Sequence, residues 1–122
     1  MGSHPANLAL RFILELTALF ALGWWGWSLT DGWLRFVLVV VFPLGAAAIW
    51  GTFAVPDDPS RSGEAPVTVP GRVRLLIEFV VFGAGVVGFV AVGQITPAIG
   101  FLMVIIVHYA LSIDRMGWLL ER

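Results

Sequence analysis

Cysteine is absent from this 122-residue chain, which excludes disulfides, thiolate metal sites and cysteine nucleophiles. Charge is scarce: Asp, Glu, Lys and Arg make up 12% of the residues, against roughly a quarter in a water-soluble domain. With a net charge of −1 and no arginine-rich run, nothing suggests a nucleic-acid partner. Histidine occurs twice, at His4 and His108, and neither shares a ligand-like local spacing with a carboxylate. No metal, haem or other cofactor is therefore expected. A serine-nucleophile motif and a phosphate-cradling glycine loop are both missing, so the chain is expected not to be an enzyme.

What is present is apolar. Hydrophobic residues make up 59% of the chain and its mean hydropathy is +0.94. Such a composition points to an integral membrane protein whose first partner is the lipid bilayer. Crossing a hydrocarbon core of about 30 Å takes about 20 helical residues, so most of this length must be spanning segment. No charge occurs between Arg35 and Asp57, or between Glu78 and Asp114. The expected spans are 8–29, 36–55, 73–92 and 98–113, with the turn Gly93-Gln94-Ile95-Thr96-Pro97 separating the last two. Helices are required, because backbone polar groups in lipid must be satisfied within their own segment. The fold class expected is an all-α integral membrane four-helix bundle in a single domain, 1–122.

The first apolar stretch contains Arg11 and Glu15, has no basic residue before it and is not followed by a small-residue cleavage pattern. It is expected to be retained rather than removed as a signal peptide. Thr30-Asp31-Gly32 reads as a tight turn, whereas 56–71, rich in Pro, Asp, Ser and Gly, reads as a mobile linker. Four spans place both termini and this linker on one face. That face carries Arg61, Arg72, Arg115 and Arg122, with Arg11 and Arg74 one turn inside, against Arg35 alone opposite. Arginine bias assigns it to the cytoplasm. Trp24, Trp25, Trp27 and Trp33 then mark the outer boundary, and Trp50 and Trp118 the inner one.

Arg11 and Glu15 recur as Arg74 and Glu78, with every intervening position apolar. The repeat suggests two tandem helical hairpins in a pseudo-two-fold arrangement about an axis along the membrane normal. Charges this far into an apolar segment are expensive, and at four-residue spacing each Arg and Glu share one helix face. In one arrangement they pair crosswise, Arg11 with Glu78 and Arg74 with Glu15. In the other, the arginines snorkel to the headgroups and each Glu pairs within its own helix. His108 lies about six residues before Asp114, roughly 9 Å in from the same side. An intramembrane polar layer of Arg11, Glu15, Arg74, Glu78, His108 and Tyr109, with Ser112 near it, follows. It serves either as a proton-responsive or small-ligand site or as interhelical hydrogen bonding that fixes register. His4 sits in the exposed tail and is expected to be idle.

Small residues should let helices approach closely: Gly23 and Gly26 in the first span, Gly45 to Ala48 in the second, and Gly83, Gly85 and Gly88 in the third. Pro43 is expected to kink the second helix and open a small pocket. The outer half offers few polar groups, so conduction through one bundle is not expected.

Three segments carry a family likeness. They are Asn7-Leu8-Ala9-Leu10-Arg11-Phe12 with Glu15; Gly23-Trp24-Trp25-Gly26-Trp27; and Trp50-Gly51-Thr52-Phe53-Ala54-Val55-Pro56 following Pro43. With Glu78 and Phe82-Gly83, they resemble the YrdB-like family of small bacterial four-span membrane proteins. The resemblance covers nearly the whole chain and implies a bacterial inner-membrane protein; it supports the architecture and lends no mechanism. The function expected is that of a non-enzymatic accessory, assembly or binding protein, forming a homodimer or joining a membrane-protein partner. The alternative is a small proton-coupled transporter or channel acting as a dimer through Glu15, Glu78 and His108.

Overall fold

The computed structural model describes residues 2–60 and 65–122. Helix α1 runs Pro5–Ser28, α2 Leu34–Thr52, α3 Gly71–Ala91, α4 Ile95–Leu111 and α5 Ile113–Leu120. Helices α1, α2 and α3 are each long and apolar enough to cross a membrane, and α4 with α5 qualifies as a fourth candidate only across a 70° bend. One short parallel pair interrupts the helical pattern, β1 (Phe53–Ala54) against β2 (Val67–Thr68), with Phe53 opposite Val67.

The helix ends have local causes. His4 is not idle: its Nδ1 accepts the Ala6 backbone N–H at 3.1 Å, and Pro5 follows at the first helical position, where its missing N–H costs nothing. Helix α3 stops at Gly93, whose φ of +80° favours glycine. The Gln94 N–H then reaches back to the Phe89 carbonyl at 2.8 Å and the Gly93 N–H to Val90 at 3.0 Å, a Schellman closure. Helix α4 begins within the expected turn, taking in Thr96 and Pro97, because proline is tolerated in a first turn. It also ends earlier than expected, since the chain bends at Ser112.

Buried positions on α1 recur at Asn7, Arg11, Leu14, Ala18 and Ala21, alternating steps of four and three. Helix α3 answers with Arg74, Glu78, Phe82, Gly85 and Phe89, and α4 with Ala98, Phe101, Ile105 and His108. The charged side chains thus continue the same stripe as the apolar core. Helices α1 and α3 meet through small residues: a Cβ on Gly85 would stand 3.0 Å from the Ala18 Cα, and one on Gly88 3.0 Å from the Ala21 carbonyl. Between α1 and α2 the same role falls to Gly26, where a Cβ would collide with the Leu38 carbonyl.

Helix α2 buries none of its residues. It is fastened along one edge by Gly23 and Gly26 and by the ring contacts Trp25–Phe42 and Trp27–Phe36. The expected packing role of Gly45 to Ala48 holds only at Ala46, which is half-buried against the core: Gly45, Ala47 and Ala48 are exposed, and a Cβ at Gly45 or at Gly83 would touch nothing. Pro43 lies inside an unbroken α2 and lines a groove of about 490 Å³ with Leu19, Gly23, Trp24 and Val39.

The segment expected to be a mobile linker is held at its start. Val55-Pro56-Asp57-Asp58 is a turn closed by the Asp58 N–H on the Val55 carbonyl at 3.3 Å, with Asp57 at φ 66°. Proline at the second position and a left-handed third residue aim Asp58 inward, where it is 4% exposed. Arg61 lies outside the described residues. At the same end of the molecule, the Gly2 N–H meets the Asp114 carboxylate at 3.0 Å, so the chain start, the 53–58 segment and α5 come together.

Candidate functional site: a carboxylate holding three arginines

Glu78 has no solvent exposure and is the centre of the site. Its Oε1 accepts from Tyr109 Oη at 2.7 Å, Arg115 Nη1 at 2.9 Å and Arg11 Nη1 at 3.2 Å. Its Oε2 accepts from Arg115 Nη2 at 2.7 Å and Arg74 Nε at 2.9 Å, with Arg11 Nη2 in ionic contact at 2.8 Å. Three guanidiniums from α1, α3 and α5 converge on one carboxylate. Charge-assisted bonds of this kind are the strong ones, and removing their common acceptor would take an ion partner from three buried cations at once.

The second carboxylate is Asp58, which takes Arg115 in a two-pronged grip, Nε to Oδ1 at 3.0 Å and Nη2 to Oδ2 at 2.6 Å. Ser60 donates its N–H and its hydroxyl to the same Oδ1, each at 2.9 Å. Burial by itself would raise the Asp58 carboxyl, but the Arg115 bonds and charge and the Ser60 donors outweigh it and hold the group below its ordinary 3.8. Close packing lets Arg115 reach in: α5 lies so tightly on the start of α3 that a Cβ on Gly71 would run into the Leu119 carbonyl.

Glu15, the third carboxylate, stands apart. Among the described residues its ion contact is with Arg11 Nε at 3.6 Å, and its side chain is 26% exposed. Arg74 does not complete a crossed arm to it. That guanidinium stays with Glu78 on its own helix, and its Nη1 donates to the carbonyls of Trp50, at 2.5 Å, and Phe53, at 2.7 Å, which are free because α2 ends there. The Trp50 ring lies between Arg11 and Arg74, 4.8 and 4.6 Å from their guanidinium carbons. Arg11 therefore reaches across to α3, whereas Arg74 stays at home.

His108 joins a separate polar group. Its Nδ1 lies 2.9 Å from Asn7 Oδ1; Asn7 Nδ2 donates to Ser112 Oγ at 2.8 Å; and Ser112 Oγ donates to the His108 carbonyl at 2.8 Å. Asn7 Oδ1 accepts, so Nδ1 carries the ring proton in this arrangement. Nε2 is buried with no hydrogen-bond partner among the described residues.

The six expected layer residues thus divide. Arg11, Arg74, Glu78 and Tyr109 share one centre with Glu15 at its edge, and His108 belongs with Asn7 and Ser112. Sequence reasoning missed Asp58, Arg115 and Asn7. The Pro56-Asp57 turn signal was available for Asp58; Arg115 was read as a topology-setting surface charge, yet it is 2% exposed. No cluster of metal-ligating side chains occurs among the described residues.

Residues 9–106 match the family described as Protein of unknown function (DUF2568). The chain is also similar to Uncharacterized protein YrdB of Bacillus subtilis (strain 168), at 41% identity over 119 residues, covering 98% of this chain and 97% of that protein. No solved structure matches it.

Proposed function

This chain belongs to the DUF2568 family, and from that premise we propose that it is a non-enzymatic bacterial inner-membrane protein that acts by binding, as an accessory or assembly partner. In this reading α1 to α4 cross the bilayer as a four-helix bundle of two tandem hairpins. The termini, the 56–71 segment and α5 lie on the cytoplasmic side, where the arginines accumulate.

One contrast carries the proposal. The inside is ionic, centred on Glu78, while the outside is apolar: Phe12, Phe20, Phe36, Leu44, Leu76, Ile99 and Met103 are each more than half exposed. Water would make that surface a severe aggregation liability, whereas lipid covers it without cost. Helix α5 fits the boundary, with Arg115 and Leu119 inward, Ile113 and Leu120 outward and apolar, and Asp114 and Glu121 exposed on a third side. The engagement of Glu78, Asp58 and Arg115 in ion pairs with one another and with Arg11 and Arg74 supports an architectural role, because those groups already have partners.

The test is recovery of the protein from its native membrane in mild detergent. A stable heteromeric partner supports the reading; a lone homo-oligomer with ion flux in liposomes overturns it. The partial exposure of Glu15 favours the second reading, a small proton-coupled transporter acting as a dimer. Under that reading, pH-dependent liposome flux is abolished by Glu15→Gln or Glu78→Gln.

A further inference from the structure

Six ionic groups make up the cluster, and five of them are closed off. Arg11, Asp58, Arg74, Glu78 and Arg115 are each no more than 4% exposed. Glu15 alone reaches the lateral surface. It does so through a pocket of about 150 Å³ between α1, α2 and α3, walled by Leu19, Ala46, Ala47, Gly51 and Val81 with Trp50 at its side. Alanine and glycine on α2 leave this room, and a Cβ at Gly51 would touch nothing. The small residues of α2 on this side open a window onto a carboxylate.

The partners of the three carboxylates differ in the same sense. Glu78 is held by three arginines and a tyrosine, and Asp58 by Arg115 and Ser60. Glu15 has one side-chain hydrogen bond, from Trp50, and Arg11 at 3.6 Å, and that guanidinium is already committed to Glu78 at 2.8 Å. The groups facing Glu15 are Arg11 from its own helix, Arg74 and Glu78 from α3, and Trp50 from α2. Helix α4 sends Tyr109 to Glu78 and His108 to Asn7, and α5 sends Arg115 to Glu78 and Asp58. With Glu15 ionised, three guanidiniums face three carboxylates and the cluster is neutral.

We infer that Glu15 is the proton-binding site of this cluster, loading and releasing its proton through the lateral pocket under conditions in which Glu78 and Asp58 stay ionised. Protonation of Glu15 leaves one guanidinium in excess and removes the second partner of Arg11, the residue that ties α1 to α3. The state of one lateral carboxyl is thereby passed to the contact between α1 and α3. The inference rests on the membrane reading above but not on the choice between an accessory protein and a transporter.

Carbodiimides report such a site directly. A protonated carboxyl adds across the C=N bond: its oxygen bonds to the carbodiimide carbon, its proton moves to nitrogen, and the O-acylisourea rearranges to a stable N-acylurea with no further reactant. The full chain is reconstituted in phosphatidylcholine vesicles, and its flotation with them tests the membrane reading separately. It is then treated with dicyclohexylcarbodiimide or with a water-soluble carbodiimide and mapped by mass spectrometry, with exposed Glu121 as the aqueous control. The expected result is a dicyclohexylcarbodiimide adduct at Glu15 that is absent at Glu78 and absent in Glu15→Gln. It should decline with rising pH, by about tenfold per unit once the carboxyl ionises. The water-soluble reagent should label Glu121 and spare Glu15. An adduct at Glu78, no adduct at Glu15 at any pH, or equal labelling of Glu15 by both reagents overturns the inference.

Discussion

Arg11 Nη2 on α1 lies 2.8 Å from Glu78 Oε2 on α3, across a contact where Gly85 and Gly88 let the two backbones close to van der Waals distance. The two facts belong together. A guanidinium reaches from one helix to a fully buried carboxylate on the next where small residues remove the side chains that would hold the helices apart. The ion contact then specifies which faces meet, a task that, under the membrane reading proposed above, apolar packing does poorly, because lipid tails are as apolar as the residues they would displace.

The glycines fall into two sets with opposite expected behaviour. Gly26→Ala and Gly71→Ala drive a methyl group into the Leu38 and Leu119 carbonyls, and each should destabilise by about 1–3 kcal/mol. Gly45→Ala and Gly100→Ala meet nothing and should be neutral or stabilising by up to about 1 kcal/mol, from higher helix propensity. Unfolding midpoints in a mild detergent check both sets; equal losses at all four positions would contradict the packing described.

Asp58 links the chain after α2 to α5, and its carboxyl is held below its ordinary 3.8. A group depressed in the folded state contributes stability that is fully present above its unfolded value and is lost as pH falls through its folded value. Hydrogen exchange in 53–60 and 113–120 should therefore accelerate on acidification below the ordinary carboxylate range. Asp58→Ala should cost about 1–3 kcal/mol at neutral pH, because Arg115 loses the acceptor of its Nε while Glu78 still holds its two Nη atoms, and should flatten that acid response.

Asn7 carries two bonds in the His108 group, so Asn7→Ala strands His108 Nδ1 and takes from Ser112 Oγ its donor, leaving that hydroxyl its bond to the His108 carbonyl. A loss of about 1–3 kcal/mol is expected for leaving buried polar atoms unsatisfied. Asn7→Ala combined with Ser112→Ala should cost less than the two separate losses added together, and strict additivity would show that the three residues do not act as a unit.

Much of this architecture was legible because hydrophobic length is a strong signal. The four apolar runs became α1 to α4, and the Arg11/Glu15 and Arg74/Glu78 spacing pointed to the residues that gather at the site. Where sequence reasoning failed, the cause was tertiary. Arg115 looks like any arginine beyond a span until the 70° bend at Ser112 turns α5 back over α3. Asp58 sits in a segment whose composition reads as linker, and only the pairing of Phe53–Ala54 with Val67–Thr68 and the Pro56 turn fix it. The choice between crossed and intrahelical pairing was not available from spacing either. It depended on the Trp50 and Phe53 carbonyls, which the end of α2 leaves free for Arg74. Gly45 and Gly83 show the converse: a small residue permits close approach, but only a neighbouring backbone makes use of it.

The central claim is that Glu78 joins helices through buried charges, and a double-mutant cycle on Arg11 and Glu78, read as unfolding free energy in lipid bilayers, tests it most directly. Glu78→Ala should lose about 3–5 kcal/mol and exceed the loss from Arg11→Ala, since it takes an ion partner from three guanidiniums at once, whereas Glu78 without Arg11 still has Arg74 and Arg115. The double variant should fall short of the summed single losses by roughly 1–3 kcal/mol. Losses that add, or a Glu78→Ala protein as stable as the parent, would contradict the account.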